Sequence, residues 1–231
     1  MARTLKQFRH ELREELGDVP SSPAIFTNDD QLDRWTLNGV RKASEIRPEY
    51  ATSTFTPSMN VVRYAAPARM IRLDRVVWLP TPPWGERVYA AVYEPHRDKI
   101  RLIDEGWGFE LPAGEVLTIE FARYHTEPTR DVASSIPSQY EDAVLYFAVE
   151  TGQRWLARRL AAGNRGVMSF TRGRYAEKGS ETITALDNLA KQACAQANEI
   201  LGAGDPALEA SAGRVAKHRV PASPGSPRAT S

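Results

Sequence analysis

The chain has 231 residues, 30 Lys+Arg against 29 Asp+Glu, a formal net charge of +1 and 42% hydrophobic residues. That length suffices to bury a sizeable core, as one domain with an elaboration or two small ones, and the hydrophobic fraction excludes wholesale disorder. The near-zero charge balance excludes a uniformly basic nucleic-acid binder but leaves room for local separation of charge.

Residues 4–16 read as a short amphipathic helix, with Leu5, Phe8, Leu12 and Leu16 at helical spacing. Thr4 and Gln7 form a capping-box pair and Gly17 is a natural stop. After a loop at Asp18–Pro23, a second helix begins near Asn28: Asn28 and Gln31 have capping-box spacing, and Asp29 and Asp30 suit the positive end of its dipole. Leu32, Trp35, Val40 and Ala43 mark its apolar face, and Arg47-Pro48 ends it.

From about residue 51 the period changes to that of strands. Ile71 and Leu73 alternate with Arg72 and Asp74 before the apolar run Val76–Leu79. Val88, Ala90 and Val92 alternate with Tyr89, Ala91 and Tyr93; Ile100 and Leu102 follow, then Leu117, Ile119 and Phe121. Pro- and Gly-containing turns separate these runs, the first two being joined by Pro80–Gly85. Residues 51–127 thus read as a small antiparallel β module.

Helical periodicity returns after Ser134–Pro137, where Tyr140, Val144, Phe147, Thr151 and Trp155 form a stripe through 138–162, broken at Gly163 and Gly166. A last helix spans 171–201, with Ile183, Leu186, Leu189, Ala190, Ala193, Ala197 and Ile200 on one face; its small residues let another helix approach closely. The segment 203–231 has no aromatic residue and no apolar period, and is expected to be disordered in the isolated chain. The expected class is α+β: a mainly helical bundle of about four helices with an inserted antiparallel β module and a disordered C-terminal tail. In units, 1–50 together with 135–202 form the helical core, 51–134 the insert and 203–231 the tail.

The chemistry-bearing motifs are sparse. One cysteine, Cys194, precludes an intramolecular disulfide or a Cys-based zinc site, and its place beside Ala193 and Ala195 reads as a buried structural thiol. His10, His96, His125 and His218 fall in four separate segments, away from metal-ligand spacing, and read as solvated or core histidines. There is no G-x-S-x-G elbow and no phosphate-binding G-x-x-x-x-G-K-[ST]. Gly106-Trp107-Gly108 lacks a third glycine, Leu111 standing in its place, and reads as a hairpin turn. Asp104-Glu105 and Glu141-Asp142 are adjacent acids with no general acid placed across from them. The N-terminus lacks the apolar core of a signal peptide, and no apolar run approaches the ~20 residues of a spanning helix. The expectation is therefore a chain of a cytosol-like compartment with no cofactor, no metal, no membrane partner and no enzymatic activity.

One charge feature stands out. Arg154, Arg158, Arg159, Arg165, Arg172, Arg174 and Lys178 lie between residues 154 and 178 with Glu177 as the only acid, and Phe170 and Tyr175 are interleaved. Arg154 and Arg158 share a helix face. Such a junction can meet phosphates, or be a solvated connection paired with acids of a neighbouring subunit or of the first two helices. The tail adds Arg214, Lys217, Arg219 and Arg228.

Taken in order, a short helix, the run F-T-N-D-D-Q-L-D-R-W-T-L-N-G-V-R-K-A (Phe26–Ala43), a β insertion including M-I-R-L-D-R-V-V-W-L (Met70–Leu79), the S-I-P-S-Q-Y helix start (Ser135–Tyr140) and a final helix before a loose tail resemble the head–tail connector, or adaptor, family of tailed bacteriophages. The resemblance spans residues 1–201, and its specificity lies in the order of the motifs. It implies a structural virion protein, assembled in the host cytoplasm and placed in the neck between capsid and tail. Such adaptors form a homo-oligomeric ring, typically a dodecamer, that docks on the portal protein, extends the channel for genomic DNA and presents an attachment surface to the next neck or tail protein. By that resemblance Arg154, Arg158, Arg159, Arg165, Arg172 and Arg174 become a channel-lining or inter-subunit surface. The tail, with Arg214, Lys217 and Arg219, becomes a portal-binding arm, and Trp84 and Trp107 a β-module interface. The alternatives are another neck or tail-completion protein, a nucleic-acid binder using 154–178, or an enzyme with a pocket near Trp84 and Trp107.

Overall fold

The computed structural model describes residues 2–18, 28–58, 61–78, 87–103, 116–162 and 179–203. Helix α1 is Leu5–Leu16. The Thr4 backbone N–H donates to Gln7 Oε1 at 2.8 Å, as the capping box requires. Gly17 closes the helix in the left-handed conformation (φ 74°), its N–H and that of Asp18 returning to the carbonyls of Glu14 and Arg13. Helix α2 is Asp29–Ile46, and Asn28 Oδ1 accepts from the Asp30 N–H at 2.8 Å. The chain leaves it at Arg47, ahead of Pro48.

Seven strands follow: β1 Glu49–Phe55, β2 Arg63–Ala65, β3 Met70–Trp78, β4 Arg87–Tyr89, β5 Ala91–Glu94, β6 Lys99–Leu102 and β7 Leu117–Arg123. They form two antiparallel sheets, ordered β1-β7-β3-β4 and β2-β6-β5. The sheets share one core of Met70, Val76, Ile100, Leu102, Leu117, Ile119 and Phe121.

Two strand expectations change. The alternation Val88–Tyr93 breaks at Ala90: β4 pairs with β3 and β5 with β6, so the chain switches sheets there. Its core side is that of the tyrosines. Val88 and Val92 are exposed, while Tyr89, Ala91 and Tyr93 pack against the core, because a tyrosine ring buries more apolar area than a valine. In β3 the register shifts between Met70 and Arg72 and again between Leu73 and Arg75, so the pattern at 70–75 is bulged rather than strictly alternating. Strands β1 and β2 carry no apolar alternation strong enough to announce them.

Helix α3 is Glu141–Ala161, entered through a 3₁₀ turn at Ser138–Tyr140 behind the buried Ile136. Helix α4 is Gly179–Leu201 and ends at Gly202 (φ 63°). Helix α3 is the central rod. The expected stripe is too narrow for it, since Ala143, Val144, Leu145, Phe147, Ala148, Val149, Gly152, Leu156 and Ala157 are all buried. A helix apolar on nearly every side is one packed on nearly every side. At one end, residues 145–157 of α3 join Leu12, Leu16, Leu32, Trp35 and Leu186; at the other, Val144 and Phe147 join Phe8, Val40, Ala43, Ala197 and Leu201.

A polar seam ties the β strands to the helices. His125 is buried, with its N–H on Ser44 Oγ (3.1 Å), Nδ1 facing Ser135 Oγ (3.2 Å) and Nε2 on the Arg47 carbonyl (2.9 Å). A carbonyl only accepts, so Nε2 carries a proton. Ser135 Oγ donates to Glu49 Oε2 at 3.2 Å, and Glu49 holds Arg123 at 2.5 Å. Arg47 Nε in turn donates to the Leu201 carbonyl at 2.6 Å, a cation at the negative end of α4. The α+β class is as the sequence implied, with four α-helices and two antiparallel sheets among the described residues. The Pro80–Gly85 connection, residues 171–178 of the last expected helix and the tail from 204 lie outside them.

Candidate functional site

The arginine segment divides. Arg154, Arg158 and Arg159 stand on the last turns of α3, whereas Arg165, Arg172, Arg174 and Lys178, with the interleaved Phe170 and Tyr175, lie outside the described residues. So do the tail residues Arg214, Lys217 and Arg219 and the turn residues Trp84 and Trp107.

The three described arginines have three different environments. Arg154 Nη2 pairs with Glu150 Oε1 at 2.9 Å, one turn back on α3. The Glu150 side chain is only 4% exposed, and its other oxygen takes Lys42 Nζ of α2 at 2.9 Å. A buried carboxylate is thereby held by two cations from two helices, which compensates its lost hydration. Arg159 lies over the Trp155 ring at 5.0 Å, a cation–π contact, and Trp155 packs against Trp35 in a tilted arrangement with ring centroids 5.8 Å apart. Arg158 is exposed and has no ion-pair partner among the described residues. It lines a groove of about 410 Å³ between α3 and α4 with Arg154, Ala157, Ile183, Thr184, Asp187, Asn188 and Lys191. Lys191 Nζ meets Asp187 at 2.9 Å on the α4 side. Lys191 and Asp187 escaped the sequence reading because they lie on the other helix; their i,i+4 spacing was the available signal.

The acids of the first two helices do not serve these arginines. Arg9 of α1 clamps Asp33 through Nε and Nη2 at 2.9 and 2.7 Å, and meets Asp29 at 2.6 Å. Arg13 bridges Asp18 and Asp29. The hydrogen bond from Arg13, aided by both guanidinium charges, holds the Asp29 carboxyl below its ordinary range. Glu141 is buried at the start of α3 and accepts the Arg3 backbone N–H at 2.6 Å, while Asp142 pairs with the Arg3 guanidinium at 2.6 Å. This acidic pair anchors the N-terminus. Among the described residues, Glu15 and Asp30 are left exposed at the α1–α2 corner with no ion pair.

A second cavity of about 410 Å³ opens beside α2, lined by Arg41, Ser44, Arg69, Tyr124 and His125 among others. Its polar groups serve one another or the adjacent chain: Arg41 pairs with Glu127 at 2.9 Å, Arg69 with Thr126 Oγ1 at 2.7 Å, and His125 sits in the seam described above. His125 is a satisfied core histidine. Cys194 is half-buried on α4, its sulfur accepting from Asn198 Nδ2 at 3.7 Å. Among the described residues no group of three or more His, Cys, Asp or Glu side chains is placed to hold a metal ion, and no helix is long and apolar enough to cross a membrane.

No protein-family model matches the chain, and no curated protein matches it. Among solved structures, a chain of the "Neck of empty GTA particle computed with C6 symmetry" aligns with 64% of this chain and 80% of its own length, at 15% identity and a TM-score of 0.27, a likeness too slight to establish a common fold.

Proposed function

We propose that this chain is a structural neck protein of a phage-like particle: a ring-forming head–tail adaptor that docks on the portal, extends the DNA channel and offers an attachment surface to the next neck or tail protein. The observation that carries the reading is the order of elements. An acid-started helix (α2), an all-β insertion, an Ile136-Pro137 start with Ile136 buried and a pair of long packed helices (α3 and α4) follow one another in the order the sequence resemblance to connector proteins implies.

The charge layout supports a part that meets copies of itself. The α3–α4 groove presents Arg154, Arg158 and Lys191, and the α1–α2 corner presents Glu15 and Asp30. A corner of one copy set into the groove of the next is a heterologous contact, and such contacts close rings when the rotation allows. In this reading the helical core forms the ring wall and the 203–231 arm the portal contact. The arginines of α3 are less suited to a phosphate cluster, since Arg154 is tied to Glu150 and Arg159 to Trp155. The reading is tested by imaging portal complexes assembled with this chain, where an added ring is expected and a bare portal overturns it.

A further inference from the structure

Among the described residues, a dense gathering of cations that the groove does not explain lies on the β2-β6-β5 sheet. Its inner face carries Tyr64, Tyr93, Ile100 and Leu102 to the shared core. On the outer face the register sets Arg63 directly opposite Arg101, and Lys99 opposite Glu94. Arg97 joins from the 3₁₀ turn Pro95–Arg97. Glu94, only 12% exposed, receives Arg63 at 3.2 Å, Arg101 at 3.4 Å and Arg97 at 3.7 Å. Lys99 is exposed with no ion-pair partner among the described residues. Three cations therefore meet the Glu94 carboxylate with Lys99 beside them, while the neighbouring Asp98 is engaged by the Tyr93 hydroxyl at 3.3 Å. Like charges directly opposite across two strands cost stability, and Glu94 offsets only part of that.

We propose that this outer face binds the phosphodiester backbone of duplex DNA. The positive excess is fixed, because arginine does not deprotonate in proteins. Guanidinium groups suit phosphate oxygens through their planar fork, and those of Arg63, Arg97 and Arg101 keep 38%, 54% and 45% of their side chains exposed. Lys99 and Arg101 are two positions apart on one strand, about 6.6 Å at a strand's rise, which lays charge in a row suited to a repeating polyanion. A protein partner would want a buried aromatic or apolar anchor. The tyrosines of this sheet face the other way, and the exposed apolar side chains beside the arginines among the described residues, Val92 next to Arg101 and Val61 and Val62 ahead of Arg63, are valines with no aromatic anchor among them. The inference rests on the adaptor reading only in taking DNA as the polyanion. It is measured on the unassembled chain, so ring assembly can fail while DNA contact holds, and the reverse.

The test is fluorescence anisotropy of a labelled 25-base-pair duplex titrated with the full chain across a salt series, with thermal melts confirming that each variant folds. The wild type is expected to bind at roughly 50 mM salt and to release by roughly 200 mM. Lys99→Glu, which breaks no ion pair, is expected to weaken binding about tenfold and lower the log–log salt slope by about 1. Glu94→Gln removes the central anion and is expected to tighten binding, and Arg158→Ala to leave it unchanged. Absence of wild-type binding at low salt, binding indifferent to Lys99→Glu and Glu94→Gln, or loss with Arg158→Ala instead would each overturn the proposal. So would polyglutamate held by this face in preference to DNA.

Discussion

Two glycines decide how closely the helices pack. A Cβ at Gly39 would stand 2.5 Å from the Val144 carbonyl oxygen, so α2 cannot accept a side chain there without moving off α3. A Cβ at Gly152 would meet the terminal carbons of Leu16 at 2.8 and 2.9 Å and the edge of the Trp35 ring at 3.2 Å, side-chain ends rather than backbone. Gly39→Ala is therefore expected to cost about 3 kcal/mol of stability. Gly152→Ala is expected to lie near neutral, as about 1 kcal/mol of helix propensity offsets the crowding. Urea midpoints of the two variants check this, and equal midpoints would show that α2 and α3 are not in backbone contact at Gly39. Acid stability is set at the same scale. The hydrogen bond from Arg13 lowers Asp29, and that from Arg123, with its charge and smaller help from Ser135, lowers Glu49. A carboxyl depressed in the fold contributes stability above the ordinary carboxylate range, about 4, and loses it as the pH falls through its folded value. Urea midpoints should thus decline with acid below that range. Asp29→Asn and Glu49→Gln should each flatten the decline; unaltered acid limbs would remove these pairs from the account.

Helices α3 and α4 form the most intimate pair of elements, and small residues make it possible. Ala190, Ala193 and Ala197 are buried on the α3-facing side of α4, while Ala195 is exposed. Ala197→Leu should overpack this contact and cost about 2 kcal/mol, whereas Ala195→Leu should stay within about 0.5 kcal/mol. Thermal melts of the pair separate the faces; equal melting temperatures would contradict the packing. The small-residue face of α4 was legible because helical period and residue size are both local properties. The caps at Thr4, Gly17 and Asn28 were legible for the same reason. The all-round burial of α3 was not, since it depends on three other helices arriving around it. Nor were β1 and β2. In β1 the threonines face solvent and only Ala51 and Phe55 turn to the core, so no alternation of large apolar residues marks it. Of the candidate site, Arg154, Arg158 and Arg159 were found by charge density. Lys42, the second cation on Glu150, comes from a helix more than a hundred residues away, and local patterning cannot find it. The Arg63–Glu94–Arg101 cluster is hidden likewise, because strand register assembles it from three separated segments.

For the whole molecule, a net charge of +1 results from segregation rather than scarcity of charge. The first two helices neutralise themselves through Arg9, Arg13, Asp18, Asp29 and Asp33, and the seam of Glu49, Arg123, Ser135 and His125 fastens the strands to the helical layer. Among the described residues, what remains outward includes a cationic α3–α4 groove, an acidic α1–α2 corner and a cationic β sheet. Electron microscopy of the particle's portal incubated with this chain is expected to show one added ring of density on the portal. Arg158→Glu should abolish that ring, and combining it with Asp30→Arg should restore it. A bare portal at high concentration of the wild-type chain would contradict the account.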